Sequence, residues 1–151
     1  MAFEIPPNGT RGTKPQSSGM LRRGSAFMAG FYRLTGGRVG HTLLLTTVGA
    51  KSGDQRVASV RRFDEGDGQW LVVGSAAGSA RHPSWIYNAA AHPDQVWAEI
   101  GREKVHVRPE LLAGEERAAA WRRVVAEASN FAKYETTTDR EIPVVRLTRI
   151  S

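Results

Sequence analysis

HTLLLTTV (residues 41–48), GAKSGDQ (49–55) and RVASVRRF (56–63) follow one another without a break and read as strand, glycine-bounded turn and strand. An apolar run of that length flanked by turn residues marks a buried strand, and the second run carries enough β-branched residues to pair with it. The turn sets Lys51, Ser52 and Arg56 beside Gly49 and Gly53, so two cations, a hydroxyl and several backbone N–H groups share one sheet edge. That combination suits a phosphate-bearing ligand. The spacing is not that of a Walker loop, because no GKS or GKT follows, and no dinucleotide fingerprint is present.

Composition narrows the classes further. A chain of 151 residues is long enough for one core but short for a cofactor domain plus a separate substrate domain. Without Cys it has no disulfide, thiolate nucleophile or zinc–thiolate cluster, and His41, His82, His92 and His106 lack ligand spacing, so no metal is expected. The formal charge of +6, with Arg greatly outnumbering Lys, favours anionic ligands, although a G+C-rich genome also raises Arg content. No run of about 18 apolar residues and no leader pattern occurs, which predicts a cytoplasmic protein.

Residues 1–19 are rich in Pro, Gly, Ser and Thr and read as a flexible N-terminal tail. Residues 20–37 read as an arm, in which a helix over 20–34 sets Met20, Phe27, Met28 and Phe31 on one face ringed by Arg22, Arg23 and Arg33. Such a helix suits either an anionic membrane surface or the open end of a barrel. Residues 38–151 form the domain. There the pattern predicts a turn over 64–68, a strand over 69–75, a small-residue loop over 76–80, and a short helix with Pro83 in its first turn that ends near Ala91. Strands over 95–100 and 104–111 follow, then a helix over 114–128 with an apolar stripe of Ala118, Trp121, Val125 and Ala128. An irregular stretch over 130–141 leads to a last strand over 142–147. Six strands without βαβ alternation predict a mainly β (α+β) fold, a small barrel of about six strands with helices packed outside.

Five blocks then agree on one family: LLLTTVGAKSGDQR (43–56), RHPSWIYN (81–88) after the small-residue loop, AHPD (91–94), GEERAAAW (114–121) and TDREIPVV (138–145). From about His41 to Leu147 the chain resembles the deazaflavin-dependent nitroreductase family, split β-barrel proteins that use coenzyme F420, in particular its F420H2-dependent quinone reductases. The resemblance implies an oxidoreductase that passes a hydride from reduced F420 to a quinone-like or nitroaromatic acceptor. A deazaflavin has carbon where a flavin has its reactive nitrogen, so it transfers hydride and is poor at one-electron chemistry. By motif match, Lys51, Ser52 and Arg56 hold the phosphate and acidic tail, and Ala50 with Val57, Ala58, Ser59, Val60 and Arg61 lines the same channel. Val73, Gly74, Ser75 and Ala76 supply backbone hydrogen bonds to the ring, with Gly74 and Ala76 leaving room for its plane. Ser84, Trp85, Ile86, Tyr87 and Asn88 close the other side, Trp85 as an apolar wall and Asn88 as a polar anchor. Trp85 by itself reads as core.

One departure bears on the acceptor. Relatives that reduce bicyclic nitroimidazoles carry a Tyr-rich segment before TDREIP, whereas the matching positions here are Ala128, Phe131 and Tyr134. Phe131 can stack but donates no proton. Arg61 likewise stands where some relatives have an aromatic. Weak or absent nitroimidazole reduction is therefore expected, with Tyr134 and Ser75 as candidate proton donors. The arm over 20–34 fits a peripheral membrane contact near menaquinone-like substrates, and a homodimer is expected by analogy. A non-catalytic F420 carrier and an FMN-binding split-barrel reductase stay open as alternatives. Nucleic-acid binding is not expected, because the Trp residues sit in apolar runs instead of alternating with Arg on an exposed sheet.

Overall fold

The computed structural model describes residues 5–12 and 41–150. The arm over 20–34 lies outside the described residues. The domain begins with the hairpin that its first strands predict. Strand β1 (Thr42–Val48) pairs antiparallel with β2 (Gln55–Arg61), Thr42 opposite Arg61 and Val48 opposite Gln55. Leu43, Leu44, Leu45, Thr46, Thr47 and Val48 are all buried, as expected of a strand covered on both faces.

The second strand is shorter than the pattern predicts. It ends at Arg61, and after Arg62 the chain starts β3 (Phe63–Gly66), which turns at Asp67-Gly68 into β4 (Gln69–Val73). Both turn residues have positive φ, 31° and 72°, so an Asp-Gly pair closes this hairpin as its composition favours. The stretch over 64–68 is thus mostly strand, and the sheet has seven strands instead of about six. A single 3₁₀ turn (Ala76–Gly78) leads to α1 (Ser84–Ala91), whose entry at Pro83 agrees with the sequence pattern. Strands β5 (Trp97–Ile100) and β6 (Glu103–Leu111), helices α2 (Gly114–Glu127) and α3 (Asn130–Thr137), and strand β7 (Val144–Arg149) complete the chain.

Every pairing is antiparallel, and the order β2-β1-β5-β6-β7-β4-β3 curls until β2, at one edge, touches β4, next to the other. The described residues thus form a mainly β half-barrel with three α-helices. Alternation sorts its side chains into two cores. Leu43, Leu45, Val72, Trp85, Ile86, Val107 and Val145 fill the inside. Phe63, Leu71, Val73, Trp121, Val124, Phe131 and Val144 pack under α2 and α3 outside.

Two local expectations change. The buried face of α2 is Ala120, Trp121 and Val124, with Ala118 only half-buried, so the stripe is rotated from the one drawn through Ala118 and Val125. The stretch over 130–141 is not irregular, since its first part forms α3. Its Thr136 and Thr137 discourage a helix by composition, but their hydroxyls donate back to the Lys133 carbonyl at 2.9 and 2.8 Å. Packing of Phe131 then stabilises the helix against its weak propensity. Within the stretch over 1–19, residues 5–12 are docked instead of free. Gly9 N–H donates to the Ala80 carbonyl at 2.8 Å, and Asp139 accepts from Thr10 and Arg11. No helix of the described residues is long and apolar enough to cross a membrane.

Candidate functional site

The turn after β1 is closed by its own backbone: Gly49 N–H donates to the Asp54 carbonyl at 2.7 Å and Gly53 N–H to the Gly49 carbonyl at 2.9 Å. Gly53 has φ 73°, a conformation that favours glycine. Ser52 Oγ folds back over Gly49, accepts the Asp54 N–H at 3.2 Å and lies 3.5 Å from Arg56 Nη2. Its own proton stays available to a ligand oxygen. Lys51 is exposed and has no ion pair among the described residues, and Arg56 is only loosely paired, 3.8 Å from Asp54. The turn therefore presents two weakly committed cations.

Asn88 holds this turn from below. It is buried on α1, its Oδ1 accepting the Ala50 N–H at 3.0 Å while its Nδ2 donates to Thr47 Oγ1 at 3.2 Å. Both ends of the amide are thus engaged within the protein. Ala50's N–H is likewise used. Asn88 orients the phosphate-suited turn, which differs from the direct ligand anchor read from the motif.

From the turn, Arg56, Val57, Ala58, Ser59, Val60 and Arg61 run along β2, the edge strand of the sheet among the described residues, each half-buried. Ala58 and Val60 face the inner core, which puts Val57, Ser59 and Arg61 on the other face. At about 3.3 Å per residue, Arg61 lies roughly 17 Å from Arg56. Its guanidinium sits over the Phe63 ring, 5.0 Å from the centroid, and its buried Nε has no hydrogen-bond partner among the described residues. Phe63 meets Phe131 edge-on at 5.7 Å, and Phe131 meets Tyr134 at 5.3 Å. The sheet edge thus connects a cationic turn to an arginine–aromatic cluster.

The segment after β4 borders that cluster. A Cβ on Gly74 would meet Ile86 Cδ1 at 3.0 Å and Pro143 Cδ at 3.4 Å, and Gly74 N–H donates to the Pro143 carbonyl at 2.9 Å. The missing side chain of Gly74 therefore makes room for α1 and Pro143. Val73 packs in the outer core. Ser75 is right-handed (φ −75°, ψ −34°) and Ala76 left-handed (φ 44°), a succession that turns neighbouring N–H groups toward one side. A left-handed Ala is strained and persists only where its surroundings hold it. Helix α3 comes directly against this loop, since a Cβ on Gly78 would lie 3.1 Å from Thr137 Cβ and 3.6 Å from Tyr134 Cα.

Ser75, Ala76, Tyr134, Phe131 and Arg61 are thereby brought to one end of the sheet edge, and Lys51, Ser52 and Arg56 to the other. Trp85 and Ile86 belong to the inner core, so they support the site from beneath. Phe131, too, is mostly core, 7% exposed. Ser84 is exposed, and Tyr87 directs its hydroxyl to Asn8 at 3.0 Å. Tyr134 is half-buried with its hydroxyl 3.4 Å from Asn130 Nδ2.

Residue-type reasoning missed Arg140 and His82, although both lie in the quoted motifs. Arg140 is buried and donates to the carbonyls of Ser79 and Ser75 at 2.7 Å each and to His82 Nδ1 at 3.0 Å. His82 Nε2–H in turn donates to the Pro6 carbonyl at 2.7 Å, which fixes a neutral imidazole. Burial lowers the His82 pKa, partly opposed by the Pro6 hydrogen bond, and Arg140 lowers it further. Burial also lowers that of Arg140. Asp139, by contrast, is held at about 2 by the hydrogen bonds from Thr10 and Arg11. The only sequence signal of Arg140 and His82 was their place in two quoted motifs, among the polar neighbours Arg81, Asp139 and Glu141.

Residues 25–149 match the family described as F420H2-dependent quinone reductase. An F420H2-dependent quinone reductase of Mycobacterium tuberculosis is 37% identical over 129 residues, 78% of this chain and 85% of that protein. A solved F420-H2 dependent reductase, FDR-A, is 37% identical with TM-score 0.64, the match covering 72% of this chain and 94% of that one. A second solved structure, described as a domain-swapped dimer, is 31% identical with TM-score 0.66 and covers 83% and 98%. The family match spans most of the chain and includes both ends of the sheet-edge site, so this chain belongs to the F420H2-dependent quinone reductase family.

Proposed function

We propose that the chain, as an F420H2-dependent oxidoreductase, binds reduced F420 along β2 and passes its hydride to a menaquinone-like quinone. The observation that carries the reading is the long sheet edge with a cationic turn at one end and an arginine–aromatic cluster at the other. An elongated cofactor with a ring, a phosphodiester and an acidic tail fits that length and polarity. Among the described residues, exposed Lys51 has no ion pair and the buried Arg61 Nε has no hydrogen-bond partner, so both supply donors for a ligand.

When bound, the reduced deazaflavin supplies a hydride, so that F420H2 and quinone give F420 and hydroquinone. Lys51, Ser52 and Arg56 hold phosphate and tail by charge-assisted hydrogen bonds. Val57 and Ser59, on the same face of β2 as Arg61, line the channel. The N–H groups of Ser75 and Ala76 orient the ring edge, and the Tyr134 or Ser75 hydroxyl delivers a proton to the acceptor oxygen. Nitroaromatics are secondary acceptors. Bicyclic nitroimidazoles are reduced weakly or not at all, because Ala128 and Phe131 provide no phenol. The reading implies a cytoplasmic protein, and contact with the membrane face would fall to the arm over 20–34. A homodimer is supported by the dimeric relative.

A fluorescence titration with oxidised F420 and, in parallel, FMN tests this, followed by menadione added to the reduced complex. Micromolar or tighter F420 binding with menadione-dependent reoxidation is expected. Binding without turnover would favour a carrier, and preference for FMN would overturn the assignment.

A further inference from the structure

Arg140 and His82 carry no role in the reading above, yet the fold joins them behind the loop that follows β4. Arg140, 5% exposed, grips the Ser75 and Ser79 carbonyls, and His82 accepts its third bond. All three partners are neutral. No carboxylate pairs with Arg140 among the described residues: the adjacent Asp139 accepts instead from Thr10 and Arg11. The titratable groups that face it are His82 and Tyr87. A guanidinium kept from water without a counter-charge is costly, and neutral donors would serve to hold two carbonyls.

The peptide geometry shows where that charge is felt. The 75–76 peptide is trans, so the Ala76 N–H points opposite to the Ser75 carbonyl and therefore away from Arg140. A donor on the carbonyl polarises the peptide and strengthens its N–H as a donor. The right-handed Ser75 and left-handed Ala76 turn consecutive N–H groups to that same far side. Solvent is kept from the clamp by residues 5–12. Pro6 caps His82, Asn8 Oδ1 accepts the His82 N–H at 3.0 Å, and the backbone at Gly12 lies so close to Gly78 and Ala80 that any side chain would clash.

We propose that Arg140 is the positioning residue of the cofactor loop. It holds Ser75 and the strained, left-handed Ala76 in place, and its unneutralised charge acts through the 75–76 peptide to favour the anionic form of a ligand oxygen seated on the loop's far side. The proposal rests on the F420 reading for the identity of that ligand.

The experiment uses the full chain with Arg140→Met and Arg140→Lys. At saturating oxidised F420, the absorbance of the bound chromophore is titrated with pH to follow ionisation of its ring hydroxyl. Arg140→Met is expected to raise the midpoint by at least about half a unit, and Arg140→Lys to leave it near wild type. A loop-packing role alone would weaken binding in both variants without moving the midpoint, which would overturn the electrostatic part. Separately, hydrogen exchange at amides 75–79 in unliganded protein should speed up at least tenfold in Arg140→Met and less in Arg140→Lys; unchanged exchange would overturn the clamp. If wild-type protein does not bind F420, the cofactor reading falls while the exchange measurement still decides the clamp. If Arg140→Met does not fold, Arg140→Gln, which keeps hydrogen-bond donors and removes the charge, takes its place: a raised midpoint supports the proposal, and an unmoved one overturns the electrostatic part.

Discussion

Replacing Asn88 with Ala should uncouple the phosphate-suited turn from the barrel without touching any residue assigned to the ligand. The substitution removes the 3.0 Å bond to Ala50 N–H and the 3.2 Å bond to Thr47 Oγ1. Each is worth about 1 kcal/mol net. Ala50 is exposed, so water takes over its N–H, but Thr47 is fully buried and loses its partner. A buried hydroxyl left unsatisfied adds about 1 kcal/mol or more. Ala is the better helix former by roughly half a kcal/mol, which offsets part of the loss. The net destabilisation is about 2 kcal/mol, a fall in urea midpoint of roughly 1 M at an ordinary m-value. Adding Thr47→Val to Asn88→Ala should recover about 1 kcal/mol of it, a non-additivity measurable in a double-mutant cycle. The F420 dissociation constant should rise about five- to tenfold in Asn88→Ala, near 1 kcal/mol, and stay close to wild type in Thr47→Val. An unchanged midpoint would refute the burial argument. Loss of stability with unchanged affinity would refute the view that Asn88 serves the ligand by orienting the turn.

Gly74→Ala should lower stability by about 2 kcal/mol through overpacking against Ile86 and Pro143, read as a reduced urea midpoint; an unaltered one would mean that α1 yields easily. His82 titrates below its ordinary value of 6.5 in the folded chain, so the unfolded state binds more protons as pH falls. Stability should therefore decline below pH 6.5, and His82→Gln should flatten that decline when urea midpoints are compared between pH 7.5 and 5.5. Asp139, with its pKa near 2, stabilises the docking of residues 5–12 at neutral pH, and this contribution is lost as pH falls from 3.8 through 2. Proteolytic nicking near residue 10 should rise over that window in wild type and already be high at neutral pH in Asp139→Asn. Lys51→Ala and Arg56→Ala should each weaken F420 binding about tenfold and reduce its salt dependence, as measured by titration at two ionic strengths.

The elements that could be read from the sequence are those whose signal is contained within a few residues. An apolar run before a glycine-bounded turn makes β1 and its hairpin, and alternation of Val105 and Val107 with polar neighbours makes β6. Pro83 suits the entry to α1 for a reason internal to one residue. Helix α3 was not legible because its stability comes from Phe131 packing on Phe63, a contact across 68 positions of sequence. The same holds for the register of β3, where a bulge between Asp64 and Gly66 shifts the pairing.

Site residues divide along the same line. Lys51, Ser52 and Arg56, proposed to hold the phosphate, lie in or beside an exposed turn that leaves its side chains to a ligand. Asn88 and Gly74 occupy matching motif positions but sit inside the fold, where a buried polar group must first be satisfied by protein and a missing side chain by close packing. Asn88 binds the turn 38 positions away, and Arg140 the Ser75 carbonyl 65 positions away. A motif can therefore carry two kinds of constraint that composition does not separate, contact with the ligand and support of the contacts. Burial separates them: an exposed member of a motif should, when replaced, change affinity more than stability, and a buried one should change both.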